Sequence, residues 1–141
     1  MCIRSHTNVY PGIKKEEIWG TWVDFGNWPA WQNDLEFCTF DSNVEVGNFF
    51  TLKLKGGPVF KITLTEIVPG KKFTDCTRFF GAKMYDTHEL EEIPEGLRLT
   101  NTLWVTGPLK WLWIKLIVKN IADSIPAQTQ ALVDYVRAQH A

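Results

Sequence analysis

Six strand-like runs, each closed by a turn signal, limit what this chain can fold into more than any other feature of its sequence. "LEFCTF" (35–40) ends at Asp41, Ser42 and Asn43, and "NFFTLKL" (48–54) ends at Lys55, Gly56, Gly57 and Pro58. "VFKITLTEIV" (59–68) stops at Pro69 and Gly70, and "KFTDCTRFF" (72–80) stops at Gly81. "KMYDTHELEEI" (83–93) ends at Pro94, Glu95 and Gly96, and "LRLTNTLWV" (97–105) ends at Gly107 and Pro108. Short runs at near-regular spacing, joined by Gly, Pro and Asn turns, describe an antiparallel meander. Several alternate with the period of two that a half-buried strand requires. Phe50, Leu52 and Leu54 share one face, as do Phe60, Ile62 and Leu64, and Leu99, Asn101, Leu103 and Val105.

The flanks of the meander complete the architecture. Residues 2–10 read as a first strand stopped by Pro11 and Gly12. "IKKEEIWGTWV" (13–23) carries Ile13, Glu17 or Ile18, Trp22 and Val23 at helical spacing, with acids near its start to suit the helix dipole. Asp24 and Asn27 are good caps, and Pro29 suits a second, short helix. Beyond Pro108 the period changes. Ile114, Val118, Ile121, Ile125, Leu132 and Val136 form one stripe of a long helix, with Thr106 or Gly107 as its expected cap. Pro126 is expected to kink that helix without ending it, because the stripe resumes beyond. A sheet of about seven antiparallel strands with one long helix laid across it is an α+β domain, expected to span residues 1–141.

"MYDTHEL" (84–90) is the run that does not fit a solid core. On a strand, Met84, Asp86, His88 and Leu90 share a side, and Met and Leu turn that side inward. An unpaired polar group in a packed core costs roughly 2–7 kcal/mol. Either Asp86 and His88 are fully hydrogen-bonded, or the interior is hollow there. His88 reads as a neutral histidine satisfied by a carbonyl or by Asn101, or as a ligand-contacting group. Two apart on one face, Asp86 and His88 can pair, either as a structural pair or as one that orients the imidazole for acid–base work. In "FTDCTRF" only one of Asp75 and Arg78 can point inward: Phe73 and Phe79 favour Asp75, while Cys76 and Phe80 favour Arg78.

Composition and motifs narrow the function classes. Fifteen basic against sixteen acidic residues leave a net charge of −1, which argues against a nucleic-acid partner. Cys2, Cys38 and Cys76 are odd in number and lack metal-like spacing, so a reduced, cytoplasmic setting without disulfides is expected. The N-terminus lacks the apolar run of a signal peptide, and no stretch is long enough to insert stably in a membrane. Ser5, Ser42 and Ser124 lie outside any nucleophile elbow, and no phosphate loop, dinucleotide fingerprint or zinc spacing is present, so neither cofactor nor metal is expected. Cys2 and His6 alone do not make a metal site. Seven Trp, nine Phe and three Tyr supply ring surface for a large core or for the walls of an apolar pocket.

Two segments carry a family resemblance. "EEIWGTWVDFGNWPAW" (16–31) resembles the first helix and following turn of the START-like (SRPBCC) superfamily, matching at Trp19, Asp24, Trp28 and Pro29, with Trp31 close behind. "MYDTHELEEIPEGLRLTNTLWVTGPL" (84–109) is similar to the last two strands and the Gly-Pro turn into the helix. The nearest branch looks like the polyketide cyclase/dehydrase and lipid-transport proteins. The resemblance implies a helix-grip fold whose curved sheet and long helix enclose a cavity. By position it places Met84, Asp86, His88, Leu90, Leu99, Asn101 and Leu103 on the cavity wall. Trp28, Trp31, Phe60, Ile62, Ile117 and Ile121 join them as expected ligand contacts.

Three functions are compatible with this picture. The chain binds a hydrophobic, ring-containing or lipid-like molecule in the cavity, with Asp86, His88 and Asn101 as polar spots on an apolar wall. Alternatively it is a cyclase/dehydrase-type enzyme in which His88, oriented by Asp86, moves a proton. A third possibility rests on "LKWLWIKLIVKNIA" (109–122), which is apolar almost all round. Leu112, Trp113 and Leu116 are expected beneath loops at the cavity mouth. The sharper alternative is a partner, dimer or membrane-surface contact beside Lys110, Lys115 and Lys119. The chain is expected to be a monomer or homodimer.

Overall fold

A computed structural model describes residues 2–139, and the side chains of residues 4–139. The chain runs through β1 (Cys2–Tyr10), α1 (Lys15–Trp22), a short 3₁₀ helix (Phe25–Ala30) and six strands. These are β2 (Leu35–Thr39), β3 (Phe49–Leu54), β4 (Val59–Val68), β5 (Lys72–Phe79), β6 (Ala82–Ile93) and β7 (Gly96–Thr106). The C-terminal helix follows as α2 (Lys110–Trp113), a π-helical turn (Ile114–Val118) and α3 (Lys119–Gln139). All strand pairs are antiparallel, in the order β1-β7-β6-β5-β4-β3-β2. The first strand therefore closes against the last, and α1 with the 3₁₀ helix carries the chain from one sheet edge to the other.

Local chemistry explains the helix boundaries. Glu16 and Glu17 sit in the first turn of α1, and the Glu17 carboxylate accepts from the Lys14 backbone N–H at 3.0 Å. Asp24 precedes the 3₁₀ helix but does not cap it with its side chain; Asn27 Nδ2 donates to Asp24 Oδ2 at 2.7 Å instead. The long helix starts later than Thr106 or Gly107 would place it, with Leu109 at the N-cap, because Gly107 at φ +110° still belongs to the turn. α3 runs through Pro126 as one element. Proline has no N–H for the carbonyl four residues back. Arg4 Nη1 lies 3.4 Å from that carbonyl, on Ala122, while Arg4 Nη2 pairs with Asp123 at 2.7 Å.

The interior is two hydrophobic clusters. The larger gathers Ile18, Trp22, Phe25, Trp28, Phe50, Phe73, Leu90, Leu99, Leu132 and Val136, with Phe25 stacked on Phe50 at 4.4 Å between centroids. The smaller, at the start of the long helix, contains Met84, Leu103, Val105, Val118, Ala122 and Ile125. The outer face of the sheet carries a buried Thr74–Thr87 hydroxyl pair at 2.9 Å and a stacked Tyr85–Trp104 pair.

The start of the long helix departs from the expected burial beneath loops. Trp111, Leu112 and Leu116 are 60%, 48% and 56% exposed, and Phe80 beside them is 84% exposed. Trp113 alone is tied down, stacking on Phe79 at 4.7 Å and donating from Nε1 to the Phe80 carbonyl at 2.7 Å. The β5–β6 turn is too short to cover more than one ring.

Candidate functional site

The two clusters meet around a cavity of about 230 Å³ bounded by the sheet, the 3₁₀ helix and α3. Strand register sets its polar wall. Phe73 on β5 opposes His88 on β6, which opposes Asn101 on β7. In the neighbouring rung Asp75 opposes Asp86, and Thr77 opposes Met84 in the next. Asp75 thus shares the concave face with Phe73, Thr77 and Phe79, while Arg78 points to solvent. Phe80, whose pattern had argued for Arg78, lies in the turn and carries no strand phase.

Hydrogen bonds link these rungs only in part. Asn101 Nδ2 donates to Asp86 Oδ1 at 3.2 Å, and His88 Nε2 stands 3.6 Å from Asp86 Oδ2. The imidazole stacks on Phe73 at 4.3 Å and 9°, and the edge of Trp22 packs against it at 5.6 Å. Three buried polar atoms of the lining have no hydrogen-bond partner among the described residues: Trp31 Nε1, Thr77 Oγ1 and His88 Nδ1. Buried polar groups in native proteins are nearly always paired. All three of these atoms belong to residues that line the one hollow.

No protein-family model matches this sequence, and no curated protein matches it. Solved structures do. A START superfamily protein from Mycobacterium smegmatis superposes with a TM-score of 0.71 at 15% identity, covering 99% of both chains. Protein MLL2253 from Mesorhizobium loti gives 0.72 at 14% identity, covering 98% of this chain and 99% of that one. The di-domain ARO/CYC protein StfQ of the steffimycin biosynthetic pathway gives 0.73 at 13% identity over 96% of this chain and 49% of its own. This is the START-like helix-grip fold. Identities this low speak for architecture and leave the chemistry of the grip to its own residues.

Within the helix-grip cavity, burial dominates the electrostatics. Burial and the facing Asp86 carboxylate hold the Asp75 carboxyl well above the usual carboxylate range. Asp86 is raised by burial too, opposed by His88 and by the Asn101 hydrogen bond. Burial pushes His88 down, and Asp86 only partly restores it. The wall therefore favours a protonated carboxyl beside a neutral imidazole, able to donate and accept protons at short range. No group of three or more His, Cys, Asp and Glu among the described residues is arranged to hold a metal ion.

Of the residues expected on the wall, Trp28, Trp31, Phe60, Ile62, Met84, Asp86, His88, Asn101 and Ile121 line the cavity. Leu90, Leu99, Leu103 and Ile117 do not. Leu90 and Leu99 are directly opposed and sit in the larger cluster, and Leu103 sits in the smaller one. The hollow spans only the middle of β6 and β7, because both ends of these strands are packed solid. At the π-helical turn the fully buried residue is Val118, and Ile117 is half-buried outside the lining. Lining residues beyond the expectation include Trp22, Asp75, Thr77, Phe79, and Asn120, Ser124 and Gln128 of α3. The last three recur every four residues, a polar row beside the apolar stripe, and that spacing was available in the sequence.

Proposed function

We propose that this chain binds a small hydrophobic, ring-containing molecule in the grip cavity, as a single-domain cytoplasmic protein. The observation that carries this reading is the hollow itself, with aromatic walls and three orphaned buried polar atoms around it. Its volume of about 230 Å³ is under the roughly 300–1,000 Å³ of drug-sized sites. Rings of modest size therefore suit it better than sterols or long acyl chains. Trp28 and Trp31 supply apolar contact, and Asp86, His88 and Asn101 fix orientation. The test is a thermal-shift screen with fatty acids, sterols, flavonoids and aromatic polyketides, repeated on His88→Ala. A ligand at a hundred times its Kd adds about 2.7 kcal/mol of stability. The expected result is a shift with a small ring compound that shrinks in the folded variant. Shifts that are the same in both proteins would remove His88 from the site.

A second reading is an acid–base enzyme of the cyclase/dehydrase kind, favoured by the opposed Asp75 and Asp86 next to a neutral His88. It predicts turnover of a reactive polyketide chain that is lost in His88→Gln while binding persists. The exposed Phe80, Trp111, Leu112 and Leu116 favour a third, a protein-partner or dimer contact. Sedimentation of the wild type against Trp111→Ser tests it, and a monomer in both cases would rule out self-association.

A further inference from the structure

Among the described residues, the acids of the cavity have no lysine or arginine beside them. Asp75 and Asp86 project from directly opposed positions of β5 and β6. Opposed side chains in an antiparallel pair stand about 4.5–5.5 Å apart at Cβ, where like charges repel. The titratable groups facing them are His88 from β6 and Asp34 from the loop before β2. No lysine or arginine lines the cavity among the described residues, and the α3 face contributes only Asn, Ser, Gln and Thr as polar groups. Asp86 has Asn101 and His88 as neighbours, whereas no hydrogen bond to the Asp75 carboxyl is found among the described residues. Thr77, two residues along the same face from Asp75, is 3% exposed with an unpartnered hydroxyl. His88, 9% exposed, leaves Nδ1 unpartnered.

A buried carboxylate without a positive partner is unfavourable, and a second beside it more so. An anionic ligand would add a further negative charge beside the pair, while a neutral one would leave the pair as it stands. An ammonium group brings a positive charge and up to three N–H donors, and the surrounding Trp rings attract cations through their faces. We propose, building on the cavity-binding reading above, that the ligand is a small ring-bearing amine whose ammonium is held between Asp75 and Asp86. The aromatic walls take the ring, and the Thr77 hydroxyl lies beside the charged end.

Proton balance gives this a signature. Burial and the facing Asp86 make Asp75 keep its proton to higher pH than an ordinary carboxyl, and where it does, a binding ammonium releases that proton to solvent. Amine affinity therefore rises with pH until the Asp75 carboxyl is already ionised in the free protein, then levels. Protonation of His88 at low pH adds a competing positive charge and acts in the same direction. A neutral isostere releases no proton, and its affinity stays flat.

The experiment is titration of tryptophan fluorescence, with calorimetry, using naphthylethylamine, naphthylethanol and naphthylacetate at pH 6 and pH 8. At pH 8 the amine is expected to bind about tenfold or more tighter than the alcohol, as charge-assisted contacts do. Naphthylacetate should bind weakest of the three. The preference should be no larger at pH 6 than at pH 8, and should collapse in Asp75→Asn and in Asp86→Asn, both near-isosteric and uncharged. Alcohol binding as tight as the amine overturns amine recognition and leaves the cavity reading intact. No binding of any of the three overturns both.

Discussion

Asp75→Asn isolates the electrostatic load that the cavity places on the fold. The native state keeps a proton on Asp75 that the unfolded chain gives up near the ordinary carboxylate pKa of about 3.9. Across the interval between the two values the native state holds one proton more, so stability falls as pH rises. The slope approaches 1.4 kcal/mol per pH unit for one full proton and vanishes once the native carboxyl ionises. Asp86 is also raised and slopes the same way, while His88, lowered by burial, slopes oppositely below about pH 6.5. Both remain in the variant, so the difference between variant and wild type reports Asp75 together with its coupling to Asp86. Urea denaturation at half-unit steps from pH 4.5 to pH 8 measures it. With an m-value of about 2 kcal/mol/M, each pH unit in the sloping window should separate the midpoints by up to about 0.7 M. The variant should gain on the wild type as pH rises. A difference that stays constant with pH would show that Asp75 titrates normally, and the picture of a dry, cation-free carboxyl would be wrong.

Three further substitutions probe what supports the site. Phe73→Ala removes a fully buried ring stacked on His88 and should cost about 3–5 kcal/mol; if the variant folds, NMR titration should find the His88 pKa moved back up as water reaches the imidazole. Trp28→Phe keeps a ring but leaves the Trp22 carbonyl without its 2.9 Å indole donor, an expected loss of about 1–2 kcal/mol by urea denaturation. Gly107→Ala places a Cβ 2.5 Å from the Gly81 carbonyl oxygen at φ +110°. A drop in Tm well beyond that of the Gly20→Ala control, where a Cβ meets open space, is expected; equal Tm values would mean the turn is free to move.

The fold was legible because its signals are local. The six turn-bounded runs match β2 to β7 to within a residue or two at each end, and the 3.6-residue stripe marks α3. The inward row Met84, Asp86, His88, Leu90 was also legible, because a strand's period admits only two faces. Which of those residues meet the hollow was not. Leu90 and Asp86 share a face and differ only in what lies above them, and that depends on where α3 crosses the sheet. The same holds for Leu99 against Asn101. Asp75 against Arg78 was undecidable from the run itself, since its last aromatic, Phe80, belongs to a turn whose boundary the sequence does not mark. Leu112 and Leu116 illustrate the opposite failure, in which hydrophobicity alone implies burial that nothing nearby provides.

The hollow has a cause that can be traced to α3. Ile121, Ile125 and Leu132 continue its apolar stripe, and beside them Asn120, Ser124 and Gln128 repeat every four residues on the same wall. Ser124 donates to the Ile121 carbonyl at 2.7 Å and accepts from Gln128 Nε2 at 3.1 Å, so two members of the row are spoken for within the helix itself. Facing them, Asp75, Thr77, Asp86, His88 and Asn101 form a polar band in the middle of β5, β6 and β7. Two polar bands cannot close into a dry core without matching partners, whereas the solid clusters on either side can. The gap persists where the polar bands meet, and the aromatic mass around it bears the stability that a filled centre would otherwise provide. The strand band leaves Thr77 Oγ1 and His88 Nδ1 facing the gap without hydrogen-bond partners among the described residues.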